Sequence, residues 1–520
     1  MIRQFIEFLC VTLFNWLRRS CSTRKLKQPA SVEIEAPPDR VVIGRMIPVP
    51  SSASSEPVAT QRLHAIQVAL TPEARRRHLY ILGATGTGKT NLLLQLIESD
   101  IKHQRAFCVV DLRGDLVDRI LLRLARSGSA QSWRERLLLV DLRDSDHLVG
   151  FNPLRTEGDA YNRALSVLEV LKAQSESWGV QLEETLRNSL VALAECGWSL
   201  LEIEPLLTNA AFRSQVLAKL SDRHVQGFFE RFNELSAANQ LSWTLAVLNK
   251  VTPLLAVPQL RLMFGQRQSF SFRTLLDQQP GMIILISLAV DRLHQAARLT
   301  GGLFVSAFQS AIMSRVDQPE SERVPAFLYV DEFETMATDR FESIVAEGRR
   351  FGLGLCLSHQ NISQLSPGLR HVLRNNVHTQ VYFQTGALDA AELAKEISSP
   401  ESTEDIRATL IGQGVGEAYL VRRGQPSSRI QTHYSPDPKV NSAVVEAIRQ
   451  VSFTTYARPR SEIEHELLAR EQEFKSLTGK AASGEKPAYE IRHGKTTRFT
   501  PKPSQPRNPG SNDKEPERPL

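Results

Sequence analysis

A glycine-rich segment of eight residues carries the clearest chemical pattern in this chain. It follows the apolar run 79–82 and precedes the apolar stretch 91–97, which has helical composition. The segment fits the pattern GxxxxGK[ST] and consists of Gly83, Ala84, Thr85, Gly86, Thr87, Gly88, Lys89 and Thr90. In such a loop, successive backbone N–H groups and the positive end of the helix dipole attract an anion. The alternative is a glycine-rich turn without a ligand, and the flanking strand and helix argue against it.

The residue types in this loop predict a bound nucleoside triphosphate. Lys89 is expected to reach the β- and γ-phosphates, and the Thr90 hydroxyl is expected to hold Mg²⁺.

A second candidate site is the segment Ala326–Glu332, an apolar run that ends in two carboxylates. Such a run predicts a buried strand whose last side chains emerge at the carboxyl edge of a sheet, where α/β proteins bind ligands. Asp331 is expected to hold the hydration shell of Mg²⁺, and Glu332 to polarise an attacking water. The alternative is a plain strand that enters a loop; the phosphate loop upstream favours the functional interpretation.

A third candidate follows the predicted strand 353–358. A polar amide at its end places Gln360 near the γ-phosphate, where it would report hydrolysis, although a capping or turn role is the alternative. Arg349 or Arg350, just upstream, is a candidate finger for a neighbouring subunit's nucleotide; the alternative is a solvated basic helix end. We interpret His359 as a neighbour of this site and not as a metal ligand, because no metal partners are spaced near it.

Two further carboxylates follow the predicted strand 106–111. Asp111 and Asp115 are candidates either to cap the next helix or to contact the nucleotide region, and capping is the favoured role.

Composition adds weaker constraints. The chain has 520 residues, a formal net charge of +6 and a pI near 9.1, which is compatible with nucleic acid or an acidic membrane surface as a partner. The five cysteines are scattered without a CxxC pair, which argues against a zinc site or a disulfide framework and for a reducing cytoplasm.

The first 21 residues predict an amphipathic helix, and a basic cluster follows them. The apolar run is broken by charge and is shorter than the roughly 20 residues that span a bilayer. The pattern is typical of a membrane-surface anchor, and a helix packed on the body or on a sister subunit is the alternative. Residues 22–60 are rich in proline and serine and predict a linker, or at most an edge hairpin around 41–43.

From residue 61 the chain predicts an α/β fold with a mostly parallel sheet. Apolar strand candidates alternate with helices, which is typical of a sheet covered on both faces. We assign an ATPase domain to 61–156 and 266–450, and an all-helical insert to 157–265, where no strand pattern is evident. Residues 451–520 predict one helix followed by a disordered basic tail.

Together these segments resemble the HerA/FtsK superfamily of DNA-pumping ATPases, and within it the type IV secretion coupling proteins of the TraG/TraD kind. The resemblance depends on the order and spacing of GATGTGKT at 83–90, VVDLRGDL at 109–116, GFNPL at 150–154, FLYVDE at 327–332 and GRRFGLGLCLSHQ at 348–360.

The resemblance implies a RecA-like P-loop core, a hexameric ring with nucleotide between subunits, and DNA moved through a central channel. It implies phosphate and Mg²⁺ contacts from Lys89 and Thr90, a metal contact from Asp331, and a catalytic carboxylate in Glu332. It also implies that Gln360 is a sensor and that Arg349 acts in trans on a neighbouring subunit.

The expected activity is ATP hydrolysis coupled to DNA translocation in conjugative transfer, with a relaxase complex and a secretion channel as partners. The expected location is the bacterial cytoplasm, with the cytoplasmic face of the inner membrane as the open alternative. Coupling proteins usually begin with two transmembrane helices, whereas this chain shows one short, charge-broken amphipathic segment, which argues for a peripheral coupling protein or a soluble relative. A soluble HerA-like motor in DNA processing or defence is one alternative, and a docking adaptor assembled by ATP binding is another.

Overall fold

The strand and helix patterns combine into one large sheet in a computed structural model that describes residues 39–47, 66–337 and 340–481. The strands are β1 Val41–Met46, β2 Gln67–Leu70, β3 Leu79–Leu82, β4 Ala106–Asp111, β5 Leu137–Asp141, β6 His147–Val149, β7 Ile283–Ser287, β8 Ala326–Asp331, β9 Leu353–His359, β10 Thr379–Tyr382, β11 Glu417–Arg422, β12 Ser428–Thr432 and β13 Ala457–Pro459.

Helices occupy most of the remaining described chain. They are α1 Pro72–Arg76, α2 Lys89–Lys102, α3 Asp115–Ser127, α4 Ala160–Ala173, α5 Val180–Glu195, α6 Ile203–Thr208, α7 Ala210–Leu217, α8 Arg223–Glu234, α9 Ala237–Leu255, α10 Pro258–Gly265, α11 Phe272–Leu276, α12 Val290–Leu293, α13 Gln295–Met313, α14 Arg340–Glu347, α15 Pro367–Asn376, α16 Ala387–Leu393, α17 Thr403–Gly412, α18 Ser442–Tyr456 and α19 Arg460–Ala481.

The centre of the sheet is parallel, as the sequence predicts. Strands β10, β3, β9, β8, β4, β7 and β5 lie side by side in this order, and each pair is parallel. Alternate residues enter two different cores: Ile81 and Val109 pack with α2 and α3, whereas Leu82 and Val110 pack on the opposite face. Burial on both faces explains why these strands are continuous apolar runs.

The described elements between residues 157 and 265 are all helical, as the periodicity predicts. Their apolar side chains join the core on one face of the sheet. Leu186 of α5, for example, belongs to the same core as Leu328 of β8. Phe151 and Phe304 stack at this junction with ring centroids 4.3 Å apart. The domain limits at 157 and 265 stay a prediction.

The sheet extends past β10 by four antiparallel strands in the order β11, β12, β1 and β2. The predicted linker 22–60 is therefore wrong for Val41–Met46, which form a strand paired with both β12 and β2. The alternative of an edge hairpin around 41–43 agrees better with this strand. The strand is difficult to predict because polar and proline-rich residues surround it and because one of its partners, β12, lies far away in the sequence.

The C-terminal part of the described chain also differs from its predicted limits. The predicted boundary at residue 450 falls inside α18, and the following helix α19 begins at Arg460. Arg470 of α19 donates a hydrogen bond to Glu202 at 3.1 Å, and both side chains are buried. This helix therefore packs on the helical segment; the predicted tail beyond 481 lies outside the described residues.

Among the described helices, none combines the length and the apolar character that crossing a bilayer requires. The predicted amphipathic helix 1–21 lies outside the described residues.

Candidate functional site

The glycine-rich loop leaves β3 at the carboxyl edge of the parallel sheet, between β9 and β10. The Gly83 N–H donates to the carbonyl of His359 at 3.3 Å, and the Ala84 N–H donates to the carbonyl of Gln384 at 2.8 Å. A Cβ atom on Gly83 would lie 2.6 Å from Cβ of Phe383, so only glycine fits where the loop begins. Both neighbouring strands thus fix the start of the loop.

The loop then winds into the N-terminus of α2. Gly86 and Gly88 have φ angles of +81° and +123°, which side chains rarely adopt. Lys89, the first residue of α2, donates from Nζ to the carbonyls of Gly83 at 2.7 Å and Ala84 at 3.0 Å. The loop therefore wraps around the ammonium group, as the predicted phosphate contact requires.

Carboxylates face this ammonium group. Burial lowers the pKa of Lys89, while Asp331, Glu332 and Glu334 act in the opposite direction. Asp331 ends β8 and accepts a hydrogen bond from Oγ of Ser358 at 2.7 Å. Burial raises the pKa of Asp331 and the neighbouring carboxylates add to the rise, whereas the Ser358 hydrogen bond and Lys89 oppose it.

The residues present fit a nucleotide-bound Mg²⁺ ion. No group of three or more His, Cys, Asp or Glu side chains among the described residues is arranged to hold a metal alone. Mg²⁺ in nucleotide sites typically takes one or two protein ligands and completes its shell with phosphates and waters. Thr90 and Asp331 would be those protein ligands.

Gln360 connects Glu332 with the phosphate loop. Its side-chain nitrogen donates to Oε1 of Glu332 at 2.9 Å, and its oxygen accepts from Oγ1 of Thr85 at 3.2 Å. Glu332 lies at φ 52° and ψ 44°, a left-handed conformation that is uncommon for a residue other than glycine. Such backbone conformations concentrate at functional sites.

Glu334 belongs to this cluster, although we did not predict it from the sequence. Burial raises its pKa to about 7, the nearby carboxylates of Glu332 and Asp331 add to the rise, and Lys89 opposes it. The sequence does show a third acidic residue, Glu334, two positions after the predicted pair, and this proximity could have indicated that it belongs to the site.

Arg349 is not brought to this site within one chain. It is exposed in the 3-10 turn Gly348–Phe351 that precedes β9, whereas Gln360 follows the last residue of β9. Seven residues of strand separate the two edges of the sheet by about 23 Å. Arg350 is exposed on the same edge.

Two other predicted residues have structural roles. His359 is buried against Tyr80 and Phe333, and burial lowers its pKa to about 3, with Lys89 contributing. Asp111 accepts hydrogen bonds from the N–H groups of Val117 at 3.0 Å and Arg113 at 3.1 Å. Asp111 therefore satisfies an N–H group in the first turn of α3, although the N-cap position itself is Gly114 and has no side-chain cap.

A cavity of about 390 Å³ opens beside the loop. Its walls are formed by the loop and the start of α2, by α3, and by the chain around β11 and β12; the lining residues are Gly86, Gly88, Lys89, Thr90, Asn91, Arg119, Val415, Gly416, Gln431, Thr432 and Tyr434. A larger cavity of about 610 Å³ lies elsewhere, beside Lys102 and Arg126. The smaller cavity adjoins the phosphate loop and the N-terminus of α2, where the helix dipole favours an anion, so it is the candidate site for a nucleotide.

Comparisons with known proteins agree with this geometry. The family model for the type IV secretion-system coupling protein DNA-binding domain matches residues 62–414. No curated protein sequence matches the chain.

Solved structures show the same fold at low sequence identity. The plasmid coupling protein TrwB in complex with ADP and Mg²⁺ has 18% identity and a TM-score of 0.54, with 78% of this chain and 98% of TrwB covered. VirB4 of Thermoanaerobacter pseudethanolicus has 14% identity and a TM-score of 0.51, with 77% of this chain and 98% of VirB4 covered. The fold is thus a RecA-like α/β fold similar to that of TrwB. Since the family model covers more than half of its length, the chain belongs to the family of type IV secretion-system coupling proteins.

Proposed function

We propose that this protein is an ATP-hydrolysing DNA translocase that serves as a coupling protein in conjugative type IV secretion. The observation that carries the proposal is the hydrogen-bonded connection from Glu332 through Gln360 to Thr85, beside Lys89 and Asp331. A site that only bound nucleotide would not need a carboxylate such as Glu332 to be positioned by Gln360, the side chain that also contacts the phosphate loop.

Each residue has a defined task in hydrolysis. Lys89 exchanges its loop carbonyls for the β- and γ-phosphates and neutralises charge that develops on them. Glu332 orients the attacking water and accepts its proton. Thr90 and Asp331 would hold Mg²⁺, which would supply further charge neutralisation at the phosphates.

Gln360 is suited to report hydrolysis. It bonds to Glu332 with its nitrogen and to Thr85 with its oxygen, so loss of the γ-phosphate changes the surroundings of both bonds at once. β9 then connects Gln360 with the opposite edge of the sheet, where Arg349 is exposed.

The position of Arg349 supports a ring with nucleotide between subunits. Its own chain's phosphate loop lies at the other edge of the sheet, beyond the reach of an arginine side chain. In a head-to-tail ring, such an exposed arginine can complete the neighbouring subunit's site. We therefore propose that Arg349 acts in trans within a hexamer.

The family match supports DNA as a ligand, and the TrwB complex with ADP and Mg²⁺ supports an adenine nucleotide and Mg²⁺. We further propose a relaxase complex and a secretion channel as partners, at the cytoplasmic face of the bacterial inner membrane.

The test is the ATPase rate of the full chain with and without single-stranded and double-stranded DNA. The proposal predicts stimulation by DNA that weakens as salt increases, because backbone phosphates supply the contact. An ATPase rate that DNA does not change, together with a ring that still assembles on ATP, would favour the docking adaptor instead.

A further inference from the structure

The cavity beside the phosphate loop contains an exposed tyrosine that none of the phosphate chemistry uses. Tyr434 is 78% exposed and lines this cavity, whose other walls include the loop and the first residues of α2. Val415, which is 75% exposed, lines the same cavity from the loop before β11. Two large apolar side chains thus remain in solvent beside a site for a charged ligand.

Hydrogen bonds fix the backbone on both sides of Tyr434 to the phosphate-loop helix. Asn91, which follows Thr90, donates from Nδ2 to the carbonyl of His433 at 2.5 Å, and its Oδ1 accepts from the N–H of Ser435 at 2.9 Å. Gln95, one turn later, also donates to the His433 carbonyl. The backbone that carries the tyrosine therefore has a fixed position relative to the phosphate loop.

The wall that carries Val415 is equally well fixed. The Gly416 N–H donates to the carbonyl of Thr87 at 2.9 Å, and Oγ1 of Thr432 donates to the carbonyl of Gly416 at 3.0 Å. Nε2 of Gln431 donates to the carbonyl of Val415 at 3.3 Å. Gly416 has a φ angle of +81°, which permits this close approach of its backbone to the loop.

The cavity also has a cationic side. Arg119 of α3 lines it, and Asp437 accepts from Nε of Arg119 at 2.8 Å, which orients the guanidinium group. Asp437, three residues after Tyr434, therefore ties the same C-terminal segment to α3. An oriented guanidinium group suits the sugar and phosphate side of a nucleotide.

We infer that Tyr434 and Val415 form the nucleobase subsite, in which the base stacks on the tyrosine ring while the phosphates occupy the loop. The inference rests on the proposed nucleotide binding and adds a positioning residue for the base. A cavity of about 390 Å³ matches the lower part of the range typical of small-molecule sites. Aromatic stacking suits any base because every base has a π-face.

The test compares ADP with a probe that has no base. Calorimetric titration of the full chain with ADP and Mg²⁺, without DNA, gives the affinity of wild type, Tyr434→Ala and Tyr434→Phe; inorganic tripolyphosphate is titrated in parallel. Tyr161→Ala is the matched control, because Tyr161 is 52% exposed on α4 and does not line this cavity.

Tyr434→Ala is expected to weaken ADP binding by roughly tenfold while tripolyphosphate binding stays within about twofold, and Tyr434→Phe is expected to bind ADP like the wild type. Equal ADP affinity of Tyr434→Ala and Tyr161→Ala would overturn the inference. Equal losses for ADP and tripolyphosphate would also overturn it, since the tyrosine would then act through the loop. A wild-type chain that does not bind ADP would overturn the proposed function as well, whereas turnover indifferent to DNA would leave the base subsite intact.

Discussion

Gln360 donates a hydrogen bond to Glu332 at 2.9 Å, although 28 residues separate the two in sequence. They meet because β8 and β9 are parallel neighbours, paired from Ala326 opposite Leu353 to Asp331 opposite Ser358. Residues that follow parallel strands emerge at the same sheet edge, so the pairing itself places the amide beside the carboxylate. Thr85 bonds to the other end of the amide and connects the pair to the phosphate loop.

Replacement of Gln360 by alanine is expected to lower the rate of ATP hydrolysis by about 10- to 100-fold with little change in nucleotide affinity. The reason is that Glu332 loses the group that orients it, while Lys89 and the loop remain intact. Steady-state kinetics and ADP titration together measure the two effects. Gln364→Ala is the matched control, because Gln364 is an exposed glutamine in the next 3-10 turn. Equal rates for the two variants would show that the hydrogen bond is incidental.

Arg349→Ala is expected to reduce turnover by about 10³-fold if the arginine completes a neighbouring site. Arg350→Ala, on the same exposed edge, is the control and is expected to be far milder. The sharper experiment mixes Arg349→Ala chains with Glu332→Gln chains. In a random equal mixture, roughly a quarter of the interfaces combine an intact Glu332 with a neighbour's intact Arg349, so activity should reappear. No recovery on mixing, despite confirmed mixed assemblies, would contradict action in trans.

His78 makes a pH-dependent contribution to stability at the edge opposite the phosphate loop. Burial and, to a smaller extent, the positive charge of Arg349 lower its pKa to about 4, whereas a hydrogen bond with the backbone of Val345 acts to raise it. The neutral ring is retained in the fold, where Nδ1 accepts the Leu355 N–H at 3.0 Å. In the unfolded chain this histidine binds a proton below about pH 6.5, whereas in the folded chain it does so only near pH 4. The contribution of His78 to the free energy of unfolding is therefore complete above about pH 6.5 and is lost as the pH falls from there to about 4.

His78→Asn tests this linkage, since asparagine tolerates the φ of +69° at this position and carries no titrating group. The wild type is expected to lose about 3 kcal/mol of unfolding free energy relative to His78→Asn between pH 7 and pH 4. Thermal unfolding at both pH values measures the difference. A constant gap between the two proteins across this range would rule out the neutral buried histidine.

The sequence predicted the phosphate loop, the mostly parallel sheet and the carboxylates at the end of β8 because each depends on local patterns. An apolar run with a glycine loop or acidic pair at its end specifies a buried parallel strand whatever its neighbours are. The opposite placement of Arg349 and Gln360 also follows from the sequence, since they flank the same strand.

The pairing of strands that are far apart in the sequence cannot be predicted from local patterns. β1 lies in a proline-rich and serine-rich segment, and its pairing with β12, hundreds of residues away, leaves no trace in that segment. Tyr434 carries no local signal at all; its position depends on Asn91 and Gln95, which bond to the residues around it. Glu334 follows a predicted pair, but its burial depends on packing that composition does not encode.

The most direct test of the proposed function measures the ATPase rate of wild type and Glu332→Gln with and without single-stranded and double-stranded DNA, at low and at physiological salt. We expect DNA to stimulate the wild type, more strongly at low salt, and Glu332→Gln to lose about 10²- to 10⁴-fold in rate while it still binds ADP. Hydrolysis that DNA does not change, or that persists in Glu332→Gln, would contradict a DNA-stimulated ATPase with Glu332 as its catalytic carboxylate.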